Sequence, residues 1–363
     1  MHKQILIVGQ GISGTFLSWY LEKAGIPFIM IDKPRPHTAS RSAAGIVNPV
    51  TGRRIVTTWM IGELMPFAEQ AYEDIATGLH KSFMEKHELV DFFPSAQMRL
   101  AFLDRLASDP SYLQLPADEH DRDEFFHYQL GYGLIAPCLL IDMPGLIAAT
   151  RQRLHEKQTL IETTFDQSQL RIEGAHVHYR DITADRVIFC DGIAGADNPF
   201  FSRLPFAPNK GEALLLEIPG LPRGIYKKGL TLAPWGQSSS LFWVGSSYEW
   251  SFTDDQPSET FLQRTTANLR EWLKIPFTIV EHFASIRPAT LERRPFVGFH
   301  PAFPQIGILN GMGTKGCSLA PYFSRQMTEH LLTGAPIRPD ADIKRFTKLL
   351  GNNTRPDSNG LVG

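Results

Sequence analysis

An α/β fold with a second, β-rich lobe threaded into it is what this sequence predicts, and three stretches predict it. The first is Ile5-Leu6-Ile7-Val8, which runs into Gly9, Gly11 and Gly14 and then into apolar residues at helical spacing. Four consecutive branched apolar residues read as a strand buried on both faces, as in a parallel sheet. The second is Asp185–Gly192, another buried strand ending in a glycine turn. The third is Ile306-Gly307-Ile308-Leu309-Asn310, a strand that meets Gly311-Met312-Gly313-Thr314-Lys315-Gly316 and then a helix. The chain thus leaves an α/β sheet and returns to it twice. At 363 residues it is too long for one compact core, so two lobes are expected.

Each element follows from its residues. Gly9, Gly11 and Gly14 form G-x-G-x-x-G where strand becomes helix, with Ile12 and Ser13 in the first turn. The first glycine permits the tight turn, the second lets a pyrophosphate approach the backbone, and the third lets the helix lie on the sheet. Free N–H groups and the positive helix end favour an anion there. Phe16, Leu17, Tyr20, Leu21 and Ala24 form the helix's buried face, and Gly25 ends it. The next strand closes on Asp32, beside Lys33, where a carboxylate accepts hydrogen bonds from an adenosine ribose. This is a Rossmann-like nucleotide site.

Small residues follow at Ser40-Arg41-Ser42-Ala43-Ala44-Gly45-Ile46. Such a series lets a flat ligand lie on the backbone, yet from the residues alone an ordinary helix start capped by Ser40 or Ser42 reads better. An amphipathic helix is expected from Trp59 to Gly78, and a solvated loop or helix face over the charged residues 118–124. A strand over 131–137 leads into a helix at 142–156 with Pro144 near its start. Thr159–Phe165, Gln169–Glu173 and His176–Arg180 read as a three-stranded meander. Then come strands at 212–218, 230–234 and 240–246, a helix over 254–274, and a β-rich run at 277–287.

Composition excludes several classes. The net charge is −2, from 36 basic and 38 acidic side chains, which gives no general attraction to nucleic acid or anionic membrane. No run approaches the roughly 20 apolar residues of a membrane span. Cys138, Cys190 and Cys317 are far apart and read as free thiols in a reducing compartment, and no metal motif is present. The opening residues leave no room for a signal peptide, so a cytoplasmic protein is expected. One nucleotide motif at the start, a glycine turn at 191–192 and a glycine loop near the end suit a large cofactor clasped from several sides. FAD fits that scattering better than NAD.

These landmarks resemble the D-amino-acid oxidase superfamily, in particular glycine oxidase and the oxidase domain of the bacterial tRNA wobble-uridine modifying enzyme. Gly9, Gly11, Gly14 and Asp32 resemble the adenosine and pyrophosphate site, although the family's acid is more often Glu. Ser42–Ile46 resembles the small-residue segment under the flavin ring, and Val187–Gly192 the strand whose glycine turn neighbours FAD. Ser285-Ile286-Arg287-Pro288-Ala289-Thr290, with Arg293–Gly298, resembles the I-R-P-x-T … R-x-P-x-[VI]-G signature. Asn310–Ser318, followed by Ala320-Pro321, resembles the closing flavin loop.

The resemblance implies a Rossmann-like FAD-binding domain (1–50, 135–205 and 288–350), an inserted β-sheet-plus-helices substrate domain (51–134 and 206–287) and a frayed tail from 351. It implies an FAD enzyme that oxidises the C–N bond of an amino acid or N-substituted glycine by hydride transfer to the flavin, with O2 or another acceptor. Action on a carboxymethylaminomethyl uridine of tRNA, or on a hydroxy acid, are the alternatives. Arg287 matches the arginine that holds the substrate carboxylate, a task suited to a planar, permanently charged guanidinium; an ion pair with Glu281 or Glu292 is the plain alternative. Thr314 stands where glycine oxidase has a second arginine, and Lys315 replaces that charge or is simply solvated. Lys315, Gly192, Gly311, Met312, Gly313 and Gly316 are further expected cofactor contacts. Asn48, Tyr226, Trp235 and Tyr248 are expected around the substrate. Trp243 and Lys227, with Arg53 and Arg54 at the pocket mouth or simply on the surface, are weaker candidates; the tryptophans read more readily as core than as site.

Overall fold

The computed structural model describes residues 2–52 and 54–351. Arg53 and the tail beyond Gly351 lie outside the described residues. The chain divides into two compact units. Of the described residues, the first comprises 2–40, 147–209 and 286–351, and the second those within 41–146 and 210–285. Residues 41–50 and 135–146, expected in the nucleotide lobe, group with the second unit.

In the first unit the opening strand, His2–Val8, lies mid-sheet between Phe28–Ile31 and Ile182–Phe189, parallel to both. Its residues Leu6 and Ile7 are fully buried, and Leu6 and Val8 pack in a cluster with Ile29, Tyr179, Val187 and Phe201, so the strand is covered on both faces as four branched residues require. Leu160–Ile161 extends the sheet in parallel beyond Phe28–Ile31. The meander is therefore shifted along the chain: Leu160–Ile161 is not part of it, and Leu170–Glu173, His176–Tyr179 and the start of Ile182–Phe189 run antiparallel in succession. The helix Met143–Glu156 precedes Leu160–Ile161 and makes the crossover that a parallel neighbour needs. Ile306–Asn310 pairs in parallel with the second half of Ile182–Phe189, and Phe296–Phe299 runs antiparallel beside it.

The second unit is built on a nine-stranded sheet. Its order is Thr278–Arg287, Asn209–Glu217, Leu241–Gly245, Leu230–Pro234, Ile225–Lys228, Met84–Phe92, Tyr132–Ile141 and Ile46–Val47, with Leu113–Gln114 also on Tyr132–Ile141. Strand Asn209–Glu217 is buried on both faces. Leu214 and Leu216 join a cluster with Phe92, Phe126, Tyr226 and Trp272, while Ala213 and Leu215 join Trp243 and Phe283. Strand Met84–Phe92 and helix Ala96–Ser108 lie between the expected helix at 59–78 and the charged run at 118–124, where no element is expected; Ser95 caps that helix through the Met98 amide. The expected helix at 59–78 runs from Ile61 to Leu79, because Met60 takes a left-handed conformation (φ 57°).

Phe92 is wholly buried, its ring centroid 4.9 Å from Phe126, 5.0 Å from Tyr128, 5.3 Å from Tyr132 and 5.7 Å from Trp272. Phe92→Ala is expected to lower the unfolding free energy by about 3–5 kcal/mol, read from urea denaturation. An unchanged urea midpoint would contradict this packing.

Candidate functional site

The glycine turn is set by what a side chain would strike. Gly9 has φ 99°, and a Cβ there would lie 2.5 Å from the carbonyl oxygen of Cys190. A Cβ on Gly14 would collide with the carbonyl oxygen of Gly9. At Gly11 a Cβ meets only the Ser40 hydroxyl, at 3.0 Å. Gly9 and Gly14 therefore serve the packing of strand, turn and helix, whereas the space beside Gly11, at the start of helix Ile12–Lys23, is bounded by the Ser40 side chain alone. That helix has no side-chain cap from Gly11 and no acidic residue in its first turn; Ser40 Oγ accepts from Ile12 N at 3.0 Å. A positive helix end with no acid in its first turn, beside a glycine whose missing side chain would meet only the Ser40 hydroxyl, fits a pyrophosphate. Ser40 thus caps the opening helix and not one of its own: residues 39–45 form turns and extended chain without a helix.

Asp32 stands at the end of the second strand with both carboxylate oxygens engaged. Oδ1 accepts from Gln10 N at 2.9 Å and Oδ2 from Arg151 Nη1 at 2.7 Å. Arg151 Nη1 also donates to Gln10 Oε1, and its Nε donates to Glu162 Oε1. A carboxylate has about four lone-pair sites, so a ribose can still be received beside these bonds. Gln10 and Arg151 carry no sequence signal, since Arg151 lies 119 positions from Asp32. Lys33, the neighbour expected to help, is exposed.

The glycine turn at Gly192 is tied to the closing loop. Asn310 Nδ2 donates at 2.8 Å both to Asp191 Oδ1 and to Gly192 O, and Asn310 Oδ1 accepts from Gly311 N at 2.7 Å. Although part of Asp191 reaches the surface, its carboxyl is shielded from water, and this desolvation lifts its pKa to about 6 against the hydrogen bonds from Asn198 and Asn310. The closing loop then meets the opening helix. A Cβ on Gly316 would lie 3.2 Å from Ile12 Cγ2, and Ser324 Oγ donates to Ser13 O at 3.4 Å. Met312 is buried and Thr314 exposed.

Gly313 N donates to Pro288 O at 3.2 Å, which sets the segment after Arg287 against the same loop. Arg287 is half-buried, and its Nη1 donates to Asn209 Oδ1 at 2.6 Å. Glu292, one of its two expected ion-pair partners, is bound instead to Arg345 Nε at 3.1 Å. Lys315 begins the closing helix; burial pushes its pKa down, and the charges of Arg294 and Arg293 push it further. Among the described residues no carboxylate pairs with Lys315. The closing loop is therefore locally electropositive.

In the second unit, Gly45 has φ 80°, and a Cβ there would collide with the carbonyl oxygen of Ile141, so its smallness serves the join with strand Tyr132–Ile141. Ile46 belongs to that join, and Ala44, like Trp235, packs against the cluster of Ala213, Leu215, Trp243 and Phe283. Ser42 is buried with its hydroxyl unpartnered, while its carbonyl accepts from Trp243 Nε1 at 3.0 Å; Arg41 beside it is half-buried. The expected substrate residues separate. Asn48 Oδ1 accepts from Val50 N at 3.0 Å and forms a local turn. Tyr226 is core: its ring sits 4.7 Å from Phe126, its hydroxyl donates to Pro222 O, and burial raises its pKa to about 12. Lys227 is engaged by the buried Asp91 at 2.7 Å. Tyr248 is 60% exposed, and Trp235 lies partly buried against Phe283.

A parallel sheet whose first strand opens through a glycine turn into a helix with no acid in its first turn, with an acid closing the second strand, defines a nucleotide-binding α/β protein. The comparisons say which kind. Residues 4–330 match the model of the family described as FAD dependent oxidoreductase (DAO), and the chain belongs to that family. It is an FAD-dependent oxidoreductase. It is 30% identical over 360 residues to glycine oxidase of Pseudomonas putida, covering 92% of this chain and 96% of that one. Its fold is similar to the glycine oxidase of Geobacillus kaustophilus (TM-score 0.77, 17% identity, 95% of this chain and 98% of that one). It is also similar to iminodiacetate oxidase of a Chelativorans species (TM-score 0.72, 19% identity, 95% and 98%).

The two glycines at the helix start should separate in experiment. Gly14→Ala should lower the thermal midpoint, because its methyl overlaps the Gly9 carbonyl. Gly11→Val should fold yet emerge without flavin; a yellow Gly11→Val protein would refute the assignment of that space to the cofactor. Asp191 gives a pH test. Its folded pKa lies above the unfolded value, so its contribution is present at about pH 4 and is lost as pH rises through about 6. Relative to native protein, Asp191→Asn should therefore gain about 3 kcal/mol of stability between pH 4 and 7. Denaturant titrations across that range check it, and parallel curves for the two proteins would contradict it.

Proposed function

We propose that this enzyme oxidises the C–N bond of an amino acid or N-substituted glycine, with Arg287 holding the substrate carboxylate. The observation that carries the reading is the setting of Arg287. A neutral amide oxygen fixes the guanidinium at Nη1, and Glu292 is committed to Arg345. A guanidinium so held binds a carboxylate in a fixed plane, which fixes the adjoining carbon and its hydrogen. The names of the relatives, glycine oxidase and iminodiacetate oxidase, agree with a small carboxylate-bearing amine.

FAD, when bound, supplies the acceptor for the hydride lost from the substrate carbon. The chain's own residues do the rest. Gly11 and the start of helix Ile12–Lys23 receive the pyrophosphate, and Asp32 the ribose. Lys315 and its arginine neighbours place positive charge at the closing loop, where negative charge developing on a bound flavin would be stabilised. The oxidised substrate is an imine, which water hydrolyses to an oxo acid and an amine, and O2 or another acceptor takes the electrons onward. No helix among the described residues is long and apolar enough to cross a membrane. A cytoplasmic setting is part of the proposal.

Anaerobic mixing with amino acids, N-methyl glycines and hydroxy acids tests the reading: the first two classes should bleach the flavin and the third should not. Arg287→Ala should keep its flavin while KM for the bleaching substrate rises about tenfold or more, the loss of a charged hydrogen-bond pair. An unchanged KM would remove Arg287 from the site.

A further inference from the structure

We propose that Asn209 contacts the substrate directly, donating from its side-chain Nδ2 to a carboxylate oxygen that lies beside the Arg287 guanidinium. The inference rests on the reading that Arg287 holds that carboxylate.

Asn209 begins strand Asn209–Glu217 and is only 2% exposed. Its amide orientation is fixed by chemistry. The group facing Arg287 Nη1 at 2.6 Å must be an acceptor, because guanidinium offers donors only, so it is Oδ1. That leaves Nδ2, with two N–H donors, and this nitrogen is buried with no hydrogen-bond partner. A buried amide seldom leaves both donors idle, because desolvating them without a partner is unfavourable. Oδ1 and Nδ2 share one planar group, so an acceptor that satisfies Nδ2 lies next to the guanidinium that Oδ1 engages. The chemical class meeting both donors is a carboxylate, with its oxygens shared between the amide and the guanidinium. An asparagine supplies this without cancelling the charge of Arg287, which an aspartate at the same place would do. Its role is therefore double: it holds the arginine and it adds a neutral donor that rewards an oxygen at one position.

The test uses FAD-loaded protein and acetate, the simplest carboxylate, with affinity read from the perturbation of flavin absorbance and from thermal shift. Asn209→Leu should weaken acetate binding about tenfold in the native background. It should still weaken binding about threefold or more in an Arg287→Lys background, where no guanidinium remains to be positioned. Loss of the effect in that background would make Asn209 a support for Arg287 alone, and no effect in either would remove it from the site; both overturn the proposal. Should Asn209→Leu fail to fold, Asn209→Ala removes the same donors without added bulk. The outcomes separate from those for the underlying reading. Arg287→Lys weakening acetate while Asn209→Leu does not would defeat only this inference. Acetate that binds native and Arg287→Lys protein equally, or neither, would defeat both.

Discussion

The whole first unit hangs on the tip of its first strand, where no side chain can be admitted. Gly9 N donates to Ile31 O at 2.9 Å, and Cys190 N donates to Val8 O at 2.8 Å, so three parallel strands end together. The chain must then turn at once into a helix that rests against the Gly9 carbonyl. Only glycine at positions 9 and 14 satisfies that approach. The helix end that results is a fixed partial positive charge, and the nucleotide chemistry follows from the packing.

Around this tip the unit is stitched by polar bonds between segments remote in sequence. Arg151 reaches Asp32 and Gln10 from the crossover helix, and Asn310 reaches Asp191 and Gly192 from the closing strand. The Asn310 bonds join the end of one strand to the turn that follows another, and the Arg151 bonds tie the crossover helix to the ends of the first two strands. The turns are thereby held in register with one another, as a rigid cofactor needs.

The sequence made the local patterns legible. A run of branched residues, glycines at set spacing, an acid at the next strand's end and a second strand–loop–helix unit near 306–333 are read from neighbours within a few positions. What was illegible depends on partners far along the chain. Nothing near Arg151 marks it as the partner of Asp32, and nothing near Asn209 marks it as the partner of Arg287. The aromatic residues failed for another reason. Tyr226 and Tyr248 are both plausible wall residues by type, but one faces the core against Phe126 and the other faces solvent, and strand alternation alone does not say which face is buried. Strand Met84–Phe92 was hidden because its first half carries charge on a surface that is only partly covered, while Leu89 to Phe92 are buried.

The three-part origin of the first unit has a consequence for how the molecule comes into being. Strand His2–Val8 is flanked on one side by Phe28–Ile31, made soon after it, and on the other by Ile182–Phe189. At about 5–20 residues per second, a ribosome leaves that apolar edge without its neighbour for roughly ten to thirty-five seconds. Ile306–Asn310 and the helix that covers Ile12 emerge later still. The nascent chain thus carries a sticky, half-built sheet through half of its synthesis, and the second unit, which needs residues 210–285 as well as 41–146, is completed only after that edge has found its neighbour.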